Sequence, residues 1–324
     1  MNAQIEQLNR DGLKHHLDGE LAQAEALYRQ ALALQADNAT THNNLGFLLA
    51  QQGHLHDAHS HLQQAVALNP MHALAHSNLG QVLGLLGSAD SALHHLVEAT
   101  DLQPENPTHW HNLAQQRLRM GENQSALSAM QHAVELAPHN PTLLNDLAQA
   151  QALGGDYAQA VKSYRRLLNE HPQHQPALGG LGSSLFMLGE FSQAIEVLQQ
   201  AIELAPDDAV ALRHLGLAYS ATHAAQDAIE AFQRQLEITP NDEQTRVDLA
   251  VLLLSQGQHA AALAQLEQLP AQAQSEGRAR FYRAMALAPM DAEQAEQDLR
   301  ALAASNDTYA QRAQAQLKER LHQA

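Results

Sequence analysis

The sequence predicts an all-α solenoid of about eight stacked helical hairpins, closed by a C-terminal helix, and three regularities in its 324 residues carry that prediction. Alanine recurs every 34 residues, at Ala24, Ala58, Ala92, Ala126, Ala160, Ala194, Ala228 and Ala262. Thirteen residues before each of these, from the second copy on, stands a leucine followed by glycine or alanine: Leu45-Gly46, Leu79-Gly80, Leu113-Ala114, Leu147-Ala148, Leu181-Gly182, Leu215-Gly216 and Leu249-Ala250. Glycine stands five residues before the alanine in seven copies, and proline twelve residues after it in six. A fixed period of this length marks a helical repeat array, whose units bury their apolar faces only against one another.

The same residues place the elements in order. Glycines such as Gly53 and Gly87 end the first helix of a repeat, because the left-handed backbone conformation there carries no steric cost for glycine. Prolines such as Pro70 and Pro104 end the second, since proline lacks the amide donor that a continuing helix needs. Between these stops each repeat holds two helices of about 13 residues, with the Gly/Ala of the first set against the alanine of the second so that the backbones approach. Repeats therefore run near residues 5–38, 39–72, 73–106, 107–140, 141–174, 175–208, 209–242 and 243–276. After Leu269-Pro270 the register is lost, and residues 277–324 read as a degenerate repeat and a cap. Ser305, Asn306 and Asp307 supply capping residues for a last helix, on which Tyr309, Ala313, Leu317 and Leu321 form a narrow apolar stripe.

In these features, and in stretches such as THNNLGFLLAQQGHLHDAHSHLQQAVALNP, the chain resembles tetratricopeptide-repeat (TPR) proteins, closely over residues 5–242 and more loosely from 243. The resemblance implies a right-handed superhelix that binds protein segments and acts as an adaptor or scaffold. Three departures, Ala36 for the first proline, His223 for the seventh glycine and Gln235 for an alanine, predict looser packing near the seventh repeat.

Composition narrows the function further. The formal net charge is −17, from 35 acidic and 18 basic residues, which disfavours nucleic acid and anionic membrane surfaces as partners. A neutral to weakly basic, extended protein segment is the expected partner. There is no cysteine, and no run of 18 apolar residues that would span a membrane. The sequence opens on a polar helix without a secretory pattern, so a cytoplasmic location is expected.

In the family, positions 2, 5, 6, 9, 12 and 13 of each first helix face the concave groove. Counting residue 5 as position 1, position 6 reads Asn44, Asn78, Asn112 and Asp146 in repeats two to five. Such side chains offer the donors and acceptors that pair with a peptide main chain, as in the similar groove of O-linked N-acetylglucosamine transferases; a short polar residue simply facing water also fits the position. Asn43 and Asn145 (with Ser77) and His111 at position 5, and Gln81, Gln115 and Gln149 (with Phe47) at position 9, extend a neutral, hydrogen-bonding wall. Further along, Gly179-Gly180 strips side chains from the groove, and Phe186, Met187, Leu217, Val247 and Val251 make it apolar. Arg213 is placed to hold a partner carboxylate or to pair with a neighbouring acid such as Asp248. The lysine at position 5 that co-chaperone members of the family use to grip a C-terminal carboxylate is missing, which disfavours that ligand.

No catalytic or nucleotide-binding motif occurs, so no enzyme activity, cofactor or metal is expected. Two alternatives stay open: a substrate-recruiting or regulatory subunit of a separate enzyme such as a glycosyltransferase, and a metal-handling protein. The second rests on the 21 histidines, of which His54, His56, His59 and His61 crowd one second helix with His94 and His95 one repeat on. A solvated polar face is the plainer account of that cluster.

Overall fold

The computed structural model describes residues 2–323, with side chains described up to Glu319, and all secondary structure among them is helical. The chain divides into two compact units, residues 1–167 and 168–324. The first holds the hairpins α1 (Asn2–Leu17) with α2 (Leu21–Leu34), α3 (Ala39–Gln51) with α4 (Leu55–Leu68), α5 (Ala73–Leu85) with α6 (Ala89–Leu102), and α7 (Pro107–Arg119) with α8 (Asn123–Leu136). It also takes in α9 (Pro141–Leu153) and most of α10 (Tyr157–Glu170). The second holds α11 (Gln175–Met187) with α12 (Phe191–Leu204), α13 (Ala209–Ala221) with α14 (Ala225–Ile238), and α15 (Glu243–Ser255) with α16 (His259–Glu267). A short α17 (Ala271–Gln274) then leads to α18 (Gly277–Leu287), α19 (Ala292–Ala303) and α20 (Ala310–Gln323). In both units first helices touch the first helices of neighbouring hairpins, whereas second helices pack mainly on first helices, which puts the first helices on the inner side of the stack.

Local chemistry explains the boundaries. All seven glycines at the ends of first helices have φ between 71° and 82°, the left-handed region the spacing predicts. His223 takes the same turn with φ 62°, so the imidazole enters the position without changing the backbone path. Starts of first helices are capped: the side chains of Asn38, Asn106, Asn140, Asp208 and Asp242 accept hydrogen bonds from amides of the first turn, and Nδ1 of His72 and His174 does the same. Second helices stop two residues before each proline. The carbonyl at that proline position is left free by the helix end and is bonded by a different side chain in different hairpins. His42 Nε2 takes Ala36 O at 2.9 Å, His76 Nε2 takes Pro70 O at 3.0 Å, Trp110 Nε1 takes Pro104 O at 2.7 Å, and arginines serve Pro138, Pro206 and Pro240.

The small residues of the first helices face a large side chain more than the repeating alanine. A Cβ added to Gly80 would lie 2.6 Å from Cγ of Leu96 and 3.0 Å from the carbonyl oxygen of Ala92. Gly46 against Leu62, Gly216 against Phe232 and Gly12 against Tyr28 repeat the arrangement, sixteen residues apart each time. These leucines and rings, with Leu45, Leu79 and Leu249, are fully buried and form the inter-helix layers.

Two expectations are corrected. Packing at the seventh repeat shows no gap at Gln235: its side chain is 2% exposed, and Nε2 donates to Thr239 Oγ1 at 2.5 Å and Asp242 Oδ2 at 3.0 Å, although its Oε1 is buried without a partner. The register is not lost after Pro270, because buried Ala284 stands 34 residues after Ala250 and α18 pairs with α19 as another hairpin. Its small residue in the second helix, Ala295, comes one residue early, which hides the period from a fixed count. Helix α20 begins at Ala310, with Asp307 Oδ1 accepting from Tyr309 N at 2.8 Å. Tyr309, Ala313 and Leu317 pack on Phe281, Leu299 and Leu302, as a cap requires; the side chain of Leu321 lies outside the described residues.

Gly179 behaves unlike the packing glycines. A Cβ there would meet only Asp208 Oδ2, at an ordinary 3.6 Å. Gly179→Ala is therefore expected to stabilise the chain by about 0.5–1 kcal/mol through helix propensity, read as a raised urea midpoint.

Candidate functional site: the first-helix face

Residues 1–167 bring the asparagine ladder together on one face, but its members are rungs between hairpins and not free side chains. Asn78 Nδ2 donates to Asn43 Oδ1 at 2.9 Å, and Asn112 Nδ2 donates to Ser77 Oγ at 2.9 Å. His111 Nε2 donates to Asp146 Oδ2 at 2.8 Å. Each rung links position 5 of one repeat to position 6 of the next, and Asn78 and Asn112 are buried as a result. The sequence read the two positions as separate rows because a one-residue offset plus the 34-residue period is invisible without the stacking geometry. Asn44 stays half-buried and accepts from Asn43 Nδ2 at 3.2 Å. An amide nitrogen carries two hydrogens, so each asparagine that spends one on a rung keeps a second for a ligand.

Burial alone would raise the Asp146 carboxyl, yet the hydrogen bond and charge of His111, with bonds from Asn145 and Gln115, outweigh it and hold the group below the usual carboxylate range. Beneath it Tyr164 is pushed up to about 12, first by burial and then by the charge of Asp146. Gln81 and Gln115 remain half-buried and Gln149 exposed on the same face. Asn145 Oδ1 is buried without a partner.

The first three hairpins add what the sequence reading missed. Leu13, Leu17, Phe47 and Leu74 line a concavity of about 500 Å³ with His16 and Gln51, floored by Tyr28 and rimmed by Asn43, Asn44 and Asn78. Leu17 is 79% exposed. These leucines occupy groove positions 9, 13 and 2, so the signal was present in the spacing once Phe47 was joined to its neighbours.

Within residues 168–324 one member of the expected apolar groove is core and two more are partly buried against it. Val247 is buried in the cluster of Phe232 and Leu249, and Leu217 and Val251 pack against it. Phe186 stays half-buried, 5.5 Å from Phe191 and 5.8 Å from His214 between ring centres, and Met187 is exposed. Arg213 is taken up internally: it bonds Thr245 Oγ1 at 3.1 Å and Asp248 Oδ2 at 3.2 Å, and Asp248 also pairs with Arg278. That satisfies the guanidinium with the neighbouring acid.

The histidines prove to be structural in part. His61 does not point only to water but lies 2.9 Å, Nδ1 to Nδ1, from buried His42, and His95 lies 3.1 Å from buried His76 in the same way. Because a carbonyl only accepts, His42 and His76 carry their proton on Nε2, and their Nδ1 accepts from Nδ1–H of His61 and His95. Among the described residues no three His, Cys, Asp or Glu side chains are grouped to hold a metal ion. His95 is pushed down to about 4, by burial first and then by the nearby His76 and His94, and His61 is lowered by burial and His42. The folded chain thus keeps these groups neutral where the unfolded chain, near 6.5, takes protons. The contribution of His95 is complete above about pH 6.5 and is lost as pH falls toward 4, and that of His61 is lost in the same direction. The urea midpoint is expected to drop over that window, and His95→Leu to flatten the drop.

Models of tetratricopeptide repeats match residues 12–53, 44–107, 180–243 and 220–288, and the model of the TPR domain of cytochrome c-type biogenesis protein H matches residues 99–211. The chain is therefore built of tetratricopeptide repeats. No curated protein matches it. Among solved structures, the pilF protein of Pseudomonas aeruginosa is 20% identical over 69% of this chain and 98% of its own, with a TM-score of 0.58. A chain of the APC/C hetero-tetramer Cut9–Hcn1 is 19% identical over 82% of this chain and 52% of its own, also with a TM-score of 0.58. A tetratricopeptide-repeat protein of Parabacteroides merdae is 17% identical over 78% of this chain and 99% of its own, with a TM-score of 0.54. At these identities the likeness is one of fold. Among the described residues no helix is long and apolar enough to cross a membrane.

Proposed function

We propose that the chain is a protein-interaction adaptor that holds an extended, neutral to weakly basic polypeptide segment on the first-helix face of residues 1–167. The observation that carries this reading is the row of side-chain amides at Asn44, Asn78 and Asn112, set 34 residues apart in sequence, of which Asn78 and Asn112 are fixed in orientation by rungs to the preceding repeat. Amides locked by one hydrogen bond lose less entropy when they make a second, so the row is preorganised for a main chain. Asp146, held ionised at its end, favours a basic group on the segment. The half-buried Gln81 and Gln115 contribute side-chain selection without a charge requirement.

A peptide selected on the full chain from a random display library tests this reading. Binding should be lost in the Gln81→Arg, Gln115→Arg double variant, which should still unfold cooperatively, with a melting temperature lowered only by loss of the Gln115 bond to Asp146. Retained affinity in a folded double variant places the contact elsewhere and sinks the reading.

A further inference from the structure

The concavity of the first three hairpins has a floor whose chemistry the fold does not use. Tyr28 is fully buried, and its hydroxyl has no hydrogen-bond partner, although a phenol sealed from water usually finds one. The ring itself is needed: it fills the space opposite Gly12, as Leu62, Leu96 and Phe232 do opposite their own glycines. Those three carry no polar atom, and Phe232 shows that a ring without a hydroxyl serves the packing. The Tyr28 hydroxyl is therefore surplus to the hairpin and sits at the base of an opening whose walls are Leu13, Phe47 and Leu74. His16 lies tilted on Phe47 with 5.6 Å between ring centres, and its Nε2 is 2.6 Å from Gln51 Oε1, which fixes the aromatic side of the wall.

We propose that this opening is a specificity subsite for an aromatic side chain with a hydrogen-bonding tip, tyrosine or tryptophan, on the bound segment; the proposal rests on the groove reading above and deepens it. Its volume of about 500 Å³ falls in the range of sites that enclose a ligand group. An aromatic body meets two rings at the wall and floor, where edge-to-face contact adds to apolar burial. A polar tip at the end of that body pairs with the Tyr28 hydroxyl once the bound residue displaces the side chains that seal it from water. Leucine and phenylalanine fill the space but leave the hydroxyl unsatisfied. Lysine and arginine are excluded on a different ground, since no carboxylate lines the opening. Asn44 and Asn78 at the rim hold the main chain on either side of the inserted residue, so that one element supplies grip and the other choice.

The test uses the full chain, 15N-labelled, titrated with capped pentapeptides in which alanines flank a central Tyr, Trp, Phe, Leu or Ala. The Tyr and Trp peptides are expected to bind at least fivefold more tightly than Phe, and the Ala peptide not measurably. In Tyr28→Phe, which keeps the ring as Phe232 does, the preference for Tyr over Phe should vanish while the melting temperature holds or rises. Equal affinity for Tyr and Phe in the parent, a preference that survives Tyr28→Phe, or no binding of the Tyr peptide up to about 1 mM overturns the subsite. If all five peptides bind alike and shift the Asn44 and Asn78 amides, the subsite falls and the groove reading stands. Binding that leaves those amides unmoved overturns both.

Discussion

Leu96→Ala is expected to destabilise the chain by about 2–5 kcal/mol, because it empties a fully buried site between α5 and α6. Gly80→Ala is expected to cost about 1–3 kcal/mol despite adding a better helix former, since its new methyl would sit 2.6 Å from Leu96 Cγ and 3.0 Å from a carbonyl that cannot move without moving α6. Combining them should cost clearly less than their sum, because the leucine removed in one is the atom group met by the other. Urea unfolding of the two single variants and the double variant gives the coupling directly. Strict additivity would mean that the pair does not share a contact. It would also remove the reason for a small residue at this position in every repeat.

The second large effect falls on binding. Replacing Asn44, Asn78 and Asn112 together by alanine removes three amides from the face that holds the segment, at about 0.5–1.5 kcal/mol for each hydrogen bond lost, so affinity should fall by tens of fold or more. The structure changes what is expected of stability. Asn78 and Asn112 also bond Asn43 and Ser77, and losing those rungs offsets the gain in helix propensity. Ser77→Ala separates the two roles, because it breaks one rung while leaving the Asn112 amide in place. It should lower stability slightly and weaken binding less than Asn112→Ala does, since the amide remains but is no longer held in orientation. A binding loss in Ser77→Ala as large as in Asn112→Ala would assign the ladder to structure alone.

Most of the fold was legible in the sequence, since a repeat prints its steric requirements at a fixed interval. Glycine at the left-handed turns, proline past the second helices and alanine at the closest approach each answer a local demand, and each recurs where the demand recurs. Legibility failed where the period slips or where contacts cross between repeats. Ala295 falls one residue early, and that single step concealed the hairpin of α18 and α19. Position 5 of one repeat meets position 6 of the next, so Asn43 with Asn78 reads as two rows until the helices are stacked. Val247 sits at a groove position by count yet joins the core, and Leu217 packs partly against it, while Arg213, Asp248 and Arg278 form an ion network with one another. The pairing of His61 with His42 was hidden for the same reason: nineteen residues separate them, and neither position alone signals a partner.

The side-chain amide resonances of Asn44, Asn78 and Asn112 test the central claim most directly, followed in the 15N-labelled full chain as a display-selected peptide is added. All three pairs of amide signals should shift together and saturate at one affinity, with the Nδ2 hydrogens not used in the rungs becoming protected from exchange. Saturable binding that leaves these three amides unmoved, and shifts residues of the second helices such as Gln64 and His56 instead, would contradict the account.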